Sequence, residues 1–183
     1  MEDVSWFPAE QIEDWKALMA LTLALPAALD AQLKRDGGMT SFEYHVMAAL
    51  SDSPGRSLPM SVLSSLASAS MSRVSHVVAR LELAGWVERR ASQLTGCRTE
   101  AHLTDLGWGK VQETAPAYVQ EAHRLVLDVL SPDELRVLGE AVRKIIQVAD
   151  PRMTPRLAKA SVTVRRAGTE PEARTTTKAL CDE

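Results

Sequence analysis

Apolar residues recur at helical spacing along most of this chain. At Trp15, Leu18, Met19, Leu25, Leu29 and Leu33 they predict a long first helix over 11–33, with Pro26 as a kink. Thr40 and Glu43 form a capping-box pair that opens a second helix, with Phe42, Val46, Ala49 and Leu50 toward a core. The Ser-, Pro- and Gly-containing stretch 52–57 ends it. Val62, Leu63, Leu66 and Ala67 mark a third helix over 59–68, and only Ala69 and Ser70 separate it from a fourth. There Val74, Val77, Val78 and Leu81 fall at i, i+3, i+4 and i+7 until Gly85 stops the helix. The segment 86–90 then reads as a strand, and the chain returns along 98–103 after a loop containing Gly96. Thr104 and Asp105 start a helical segment reaching Leu130, with Tyr118, Val119, Ala122, Leu125, Val126 and Val129 apolar and Pro116 as a bend. Ser131, Pro132 and Glu134 combine a capping box with proline at the first helical position. Leu135, Leu138, Val142, Ile145 and Ile146 give that last helix its apolar face, and Asp150 and Pro151 close it.

The fourth helix has two different faces. Opposite its apolar stripe stand Ser72, Arg73, Ser75, His76 and Arg80, with Ser70 at its start, groups that bond phosphate oxygens and base edges. An isolated helix with such a face is more often simply solvated. Its context changes the reading, because two short helices joined by so brief a turn make a helix-turn-helix. Followed directly by a basic hairpin, they make a winged helix, whose second helix enters the major groove of DNA while the hairpin reaches the flanking backbone or minor groove. Arg89, Arg90 and Arg98 on the two wing strands would hold that backbone. The predicted fold class is therefore mainly α (α+β), a winged helix-turn-helix with a small antiparallel wing.

A net negative charge argues against DNA until it is divided along the chain. The total is −3, but residues 53–102 carry +3, against −6 for 1–52, −3 for 103–150 and +3 for 151–183. Phosphate attraction depends on charge within a Debye length of ~8 to 10 Å, so a basic reading head works inside an acidic protein.

Four segments in order resemble the signatures of MarR-type (multiple antibiotic resistance regulator) transcription factors of an actinobacterial-looking branch. They are Phe42-Glu-Tyr-His-Val-Met-Ala-Ala-Leu-Ser, Leu58-Pro-Met-Ser-Val-Leu-Ser-Ser-Leu-Ala, Met71-Ser-Arg-Val-Ser-His-Val-Val-Ala-Arg-Leu-Glu and Leu103-Thr-Asp-Leu-Gly-Trp. The resemblance spans about residues 10–150. It implies a homodimeric regulator of double-stranded DNA, often a repressor, whose DNA affinity falls when a small aromatic or phenolic molecule binds. It also implies a division into an N-terminal dimerisation helix (1–38), the winged helix-turn-helix (39–104) and C-terminal dimerisation helices (105–150); 151–183 reads as a disordered tail. An effector pocket would lie between the dimer helices and the reading head, where Trp15, Tyr44 and His45 offer aromatic walls with polar tips. One departure stands out. Wings of this type carry Asp-x-Arg before the second strand, whereas here Thr95, Gly96, Cys97 and Arg98 occupy the place, so the Asp is absent and the arginine comes one position late.

Other chemistry is thinly represented. Ser72 and His76 share a helix face, but without an orienting carboxylate or an oxyanion loop they form no nucleophile constellation, so no enzyme is expected. Cys97 and Cys181 belong to no CxxC pattern, and His45, His76, His102 and His123 show no shared metal spacing. Neither a metal nor a cofactor is expected. Cys97 beside Arg98 offers a redox-sensing alternative, and a winged helix used for architecture or protein contact, with no effector, is another. No uninterrupted apolar run reaches the ~18 residues of a membrane span, and Met1-Glu-Asp-Val-Ser-Trp lacks a basic region followed by an apolar one, so a cytoplasmic protein is expected.

Overall fold

The computed structural model describes residues 6–91 and 99–151. Helix α1 (Ala9–Gln32) runs unbroken through Pro26 and widens into a π turn, Leu33–Gly37. Helix α2 (Ser41–Ser51) follows, opened by the predicted capping box. The Thr40 hydroxyl accepts from the Glu43 N–H, and the Glu43 carboxylate accepts from the Thr40 N–H, satisfying two amides that the helix start would leave unpaired. A 3₁₀ turn (Pro54–Arg56) leads to strand β1 (Ser57–Pro59), then helices α3 (Met60–Leu66) and α4 (Met71–Leu83). Strands β2 (Val87–Ala91) and β3 (Thr99–Leu103) form the wing. Helix α5 (Asp105–Ala122) passes through Pro116 into a second π turn, His123–Leu127, and α6 (Pro132–Ala149) carries the Ser131/Glu134 capping box.

The three strands make one antiparallel sheet in the order β1-β3-β2, with Ser57 opposite His102 and Glu88 opposite the same residue on the other side. Sequence periodicity missed β1, which is three residues long and ends in a proline.

The core gathers α2, α4, β3 and the start of α5. Val46, Met47 and Leu50 meet Leu63, Val74, Val78, Leu81, Ala101 and Leu103, all essentially inaccessible to solvent. The α4 stripe is as predicted, with Val77 at its half-buried edge. In α3 burial falls on Met60 and Leu63, while Val62 and Leu66 stay exposed. Of the six apolar residues the periodicity singled out for the first helix, Leu33, in the π turn, alone is buried; Trp15 is exposed and the others are half-buried. Leu21 and Leu23 are exposed as well, so α1 is apolar on more sides than the described residues cover. By length and mean hydropathy the span Ala9–Gly37 would suffice to cross a bilayer, contrary to the expectation from uninterrupted apolar runs.

Candidate nucleic-acid interface

Helix α4 is fixed at both ends by local chemistry. At its start the Ser70 hydroxyl accepts from the Arg73 N–H at 3.2 Å, so Ser70 serves as the N-cap. At its end Gly85, with φ of 73°, takes the left-handed conformation while the Trp86 N–H reaches back to the Leu81 carbonyl at 2.9 Å. The turn before it is closed by Ser64, whose hydroxyl donates to the Ala69 carbonyl at 2.6 Å.

Because Val74, Val78 and Leu81 are buried, Ser72, Arg73, Ser75, His76 and Arg80 all emerge on the exposed face. Their surroundings differ. The Arg73 guanidinium lies 4.3 Å from the centre of the Phe42 ring. Arg80 is tied down, with Nη2 3.1 Å from the buried Glu43 carboxylate. In the wing, Arg89 donates to the Ser75 carbonyl at 2.8 Å and pairs with Glu82 at 3.1 Å, and Arg90 pairs with Glu88. Arg98 and Cys97 lie outside the described residues, as do Cys181 and the tail over 152–183. An open cleft of about 780 Å³ runs between α4, the start of α3 and the wing, edged by Met60, Ser61, Met71, Ser72, Ser75 and Arg89. This surface presents hydroxyls and cations on a rigid helix beside a basic strand.

A second cluster lies where α2 meets α5. The rings of Tyr44 and Tyr118 are 4.9 Å apart, and the Tyr118 hydroxyl is 3.4 Å from His45 Nε2. Desolvation raises Tyr118 above the ordinary phenol value, pushes Tyr44 up to about 12, and lowers His45, so all three favour their neutral forms. Trp15 belongs elsewhere: it stacks on Phe7 at 5.6 Å near the start of α1. Sequence reading missed Tyr118, which lies 73 positions from His45 and carries no local signal. Nearby, where the first π turn meets α5, Gln32 Oε1 and Thr114 Oγ1 are buried without hydrogen-bond partners among the described residues.

No family model and no curated protein matches the chain. Solved structures do. The structure of Sco3205, a MarR family transcriptional regulator from Streptomyces coelicolor, in complex with DNA, is similar with a TM-score of 0.78. Identity to it is 35%, over 82% of this chain and 94% of that one. AbsC, another MarR family regulator from the same organism, gives 27% identity over 80% of this chain and 98% of its own, with a TM-score of 0.76. PcaV, a transcriptional regulator from that organism in complex with its natural ligand, shares the fold at 21% identity and a TM-score of 0.65, covering 80% of this chain and 100% of its own.

Proposed function

The chain belongs to the MarR family of DNA-binding transcriptional regulators, and from that premise we propose that it is a cytoplasmic, non-enzymatic repressor. In this reading it binds a pseudo-palindromic operator as a homodimer. The observation that carries the reading is the exposed face of α4. Ser72, Arg73, Ser75 and His76 project from a helix whose other side is locked into the core. A helix held in this way presents side chains to the major groove without first ordering itself. Arg73, resting on Phe42 rather than on a carboxylate, is the cation most available for a base or phosphate.

The homodimer is supported by apolar surface that the described residues leave open: Leu21 and Leu23 on α1, and Val137, Ile145 and Val148 on α6. A second copy covering it would set two α4 helices about one helical turn, ~34 Å, apart. Such burial also accounts for an α1 apolar enough to resemble a membrane span. A small aromatic effector is supported by Tyr44, His45 and Tyr118, three uncharged rings gathered where α2 meets α5; Trp15, at the far end of α1, drops out of this proposed set. An effector there would act by changing the spacing of the two α4 helices, with a coupling of typically ~1 to 3 kcal/mol.

The test is selection of random duplex DNA on the purified full chain, repeated with Arg73→Ala and at two salt concentrations. A palindrome with half-sites one turn apart, weakened by salt and relaxed in the variant, supports the reading. Failure to enrich any sequence, or equal selection by the variant, overturns it. A panel of aromatic acids that neither raises Tm nor releases the selected duplex overturns the effector part and leaves an effector-independent DNA binder.

A further inference from the structure

The first turn of α2 grips α4 at two points. Phe42 lies under the Arg73 guanidinium at 4.3 Å, and Glu43 Oε1 meets Arg80 Nη2 at 3.1 Å. Arg73 and Arg80 are seven residues apart, two turns along the same side of the helix. The other oxygen of Glu43 accepts from the Thr40 N–H at 2.7 Å and from its hydroxyl at 2.8 Å. Both carboxylate oxygens are therefore engaged on a side chain only 5% exposed. One residue on, the Ser41 N–H donates to Asp30 Oδ1 at 2.8 Å, and Asp30 pairs with Lys34, so the same turn is also held to α1.

A buried carboxylate is costly unless charge and hydrogen bonds compensate it, which makes the place of its cation a demand of the fold rather than a choice of solvent. Position on the helix alone would make Arg80 a DNA-facing cation. We propose that Glu43 and Arg80 are instead positioning residues for DNA reading. Glu43 anchors Arg80, the pair sets how α4 sits on α2, and Arg80 makes no phosphate contact of its own. This rests on the reading of α4 as the DNA-reading helix.

Three variants of the full chain test it: Glu43→Gln, Arg80→Met and the double. Gln at this position still closes the capping box, so α2 keeps its start while the ion pair is lost. Met keeps the apolar stem of the arginine. Two readouts are taken, affinity for the duplex best selected by the unmodified protein across a salt series, and amide exchange over 71–83. Each single variant is expected to weaken binding about tenfold, with the double no weaker than the worse single. The slope of log affinity against log salt stays unchanged, and exchange in α4 quickens in all three. A slope reduced by about one in Arg80→Met, with Glu43→Gln binding normally, makes Arg80 a phosphate contact and overturns the proposal. If the unmodified protein selects no duplex, the DNA reading fails by itself. Exchange then decides the positioning role: quickened α4 amides in both single variants sustain it and unchanged ones overturn it.

Discussion

Arg89, on the first wing strand, donates through Nη2 to the main-chain carbonyl of Ser75 in the middle of α4, 2.8 Å away. Its Nη1 pairs with Glu82 at 3.1 Å, and its backbone N–H donates to the same carboxylate at 3.0 Å. Strand and helix are thus stitched together by one side chain and one amide, which fixes the angle at which the wing leaves α4.

Arg89→Met should therefore loosen the wing more than it unfolds the protein. The Arg89 side chain is about a third exposed, and a hydrogen bond of this kind contributes about 1 kcal/mol net. The expected outcome is a small drop in the urea midpoint with distinctly faster amide exchange in β2 and β3. Exchange unchanged from the unmodified chain would show that the backbone ladder alone holds the wing.

The two glycines at the start of α5 should respond oppositely to alanine. At Gly107 a Cβ would stand 2.0 Å from the Trp86 carbonyl oxygen and 2.8 Å from Leu103 Cδ1, and Trp86 is held there by the Thr104 N–H and hydroxyl. Gly107→Ala must push the helix off the sheet, at a cost of about 3 kcal/mol. At Gly109 a Cβ would meet none of the described residues within 4 Å, so Gly109→Ala should stabilise by up to about 1 kcal/mol through helix propensity. Urea unfolding of the two variants reads both signs directly.

What the sequence disclosed and what it hid divide along the range of the interactions. The capping boxes at Thr40/Glu43 and Ser131/Glu134 and the α4 stripe are encoded within a few residues, and all form as read. The partners of Arg80 and Arg89, and the meeting of Tyr118 with Tyr44 and His45, depend on distant elements being brought together. No local spacing reports such a meeting. Helix α1 was illegible for another reason: apolar residues surround it, so periodicity could not choose a face. Capping boxes also hid a second role, since Glu43 reads locally as a cap and only the fold reveals its hold on Arg80.

Alkali should expose the Tyr44 environment. Its side chain is buried, and desolvation, followed by the nearby Tyr118 and Asp52, pushes its pKa up to about 12. An unfolded chain ionises the same phenol at about 10. The raised value therefore contributes stability that is fully present below pH 10, and this is lost as pH rises toward 12, by roughly 1.4 kcal/mol per unit while only the unfolded form is ionised. Phenolate absorbance of the chain, whose only tyrosines are Tyr44 and Tyr118, should stay low past pH 10. Tyr44→Phe should flatten the alkaline decline in Tm. An ordinary midpoint for both phenols, or an unchanged decline in the variant, would show that the cluster is open to solvent.

Helix α6 carries the sharpest test of assembly. Leu135, Leu138, Val142 and Ile146 lie on one flank, half-covered, while Val137, Ile145 and Val148 continue the same apolar arc into solvent, and no residue of the helix is buried. A helix with so wide an apolar arc needs more cover than the described chain provides. Each of those exposed side chains stands to gain about 1.5 to 3 kcal/mol on full burial, and in a two-fold interface every contact counts twice. Ile145→Asp should therefore convert a dimer into monomers of 20.0 kDa by sedimentation, with the α4 core and its thermal signature retained. Binding to a two-half-site duplex should fall steeply, because the second half-site is no longer engaged from a high effective concentration, while affinity for a single half-site stays level. A variant that remains dimeric would place the interface elsewhere, and an unmodified protein that sediments as a monomer would leave the apolar arc to a different partner.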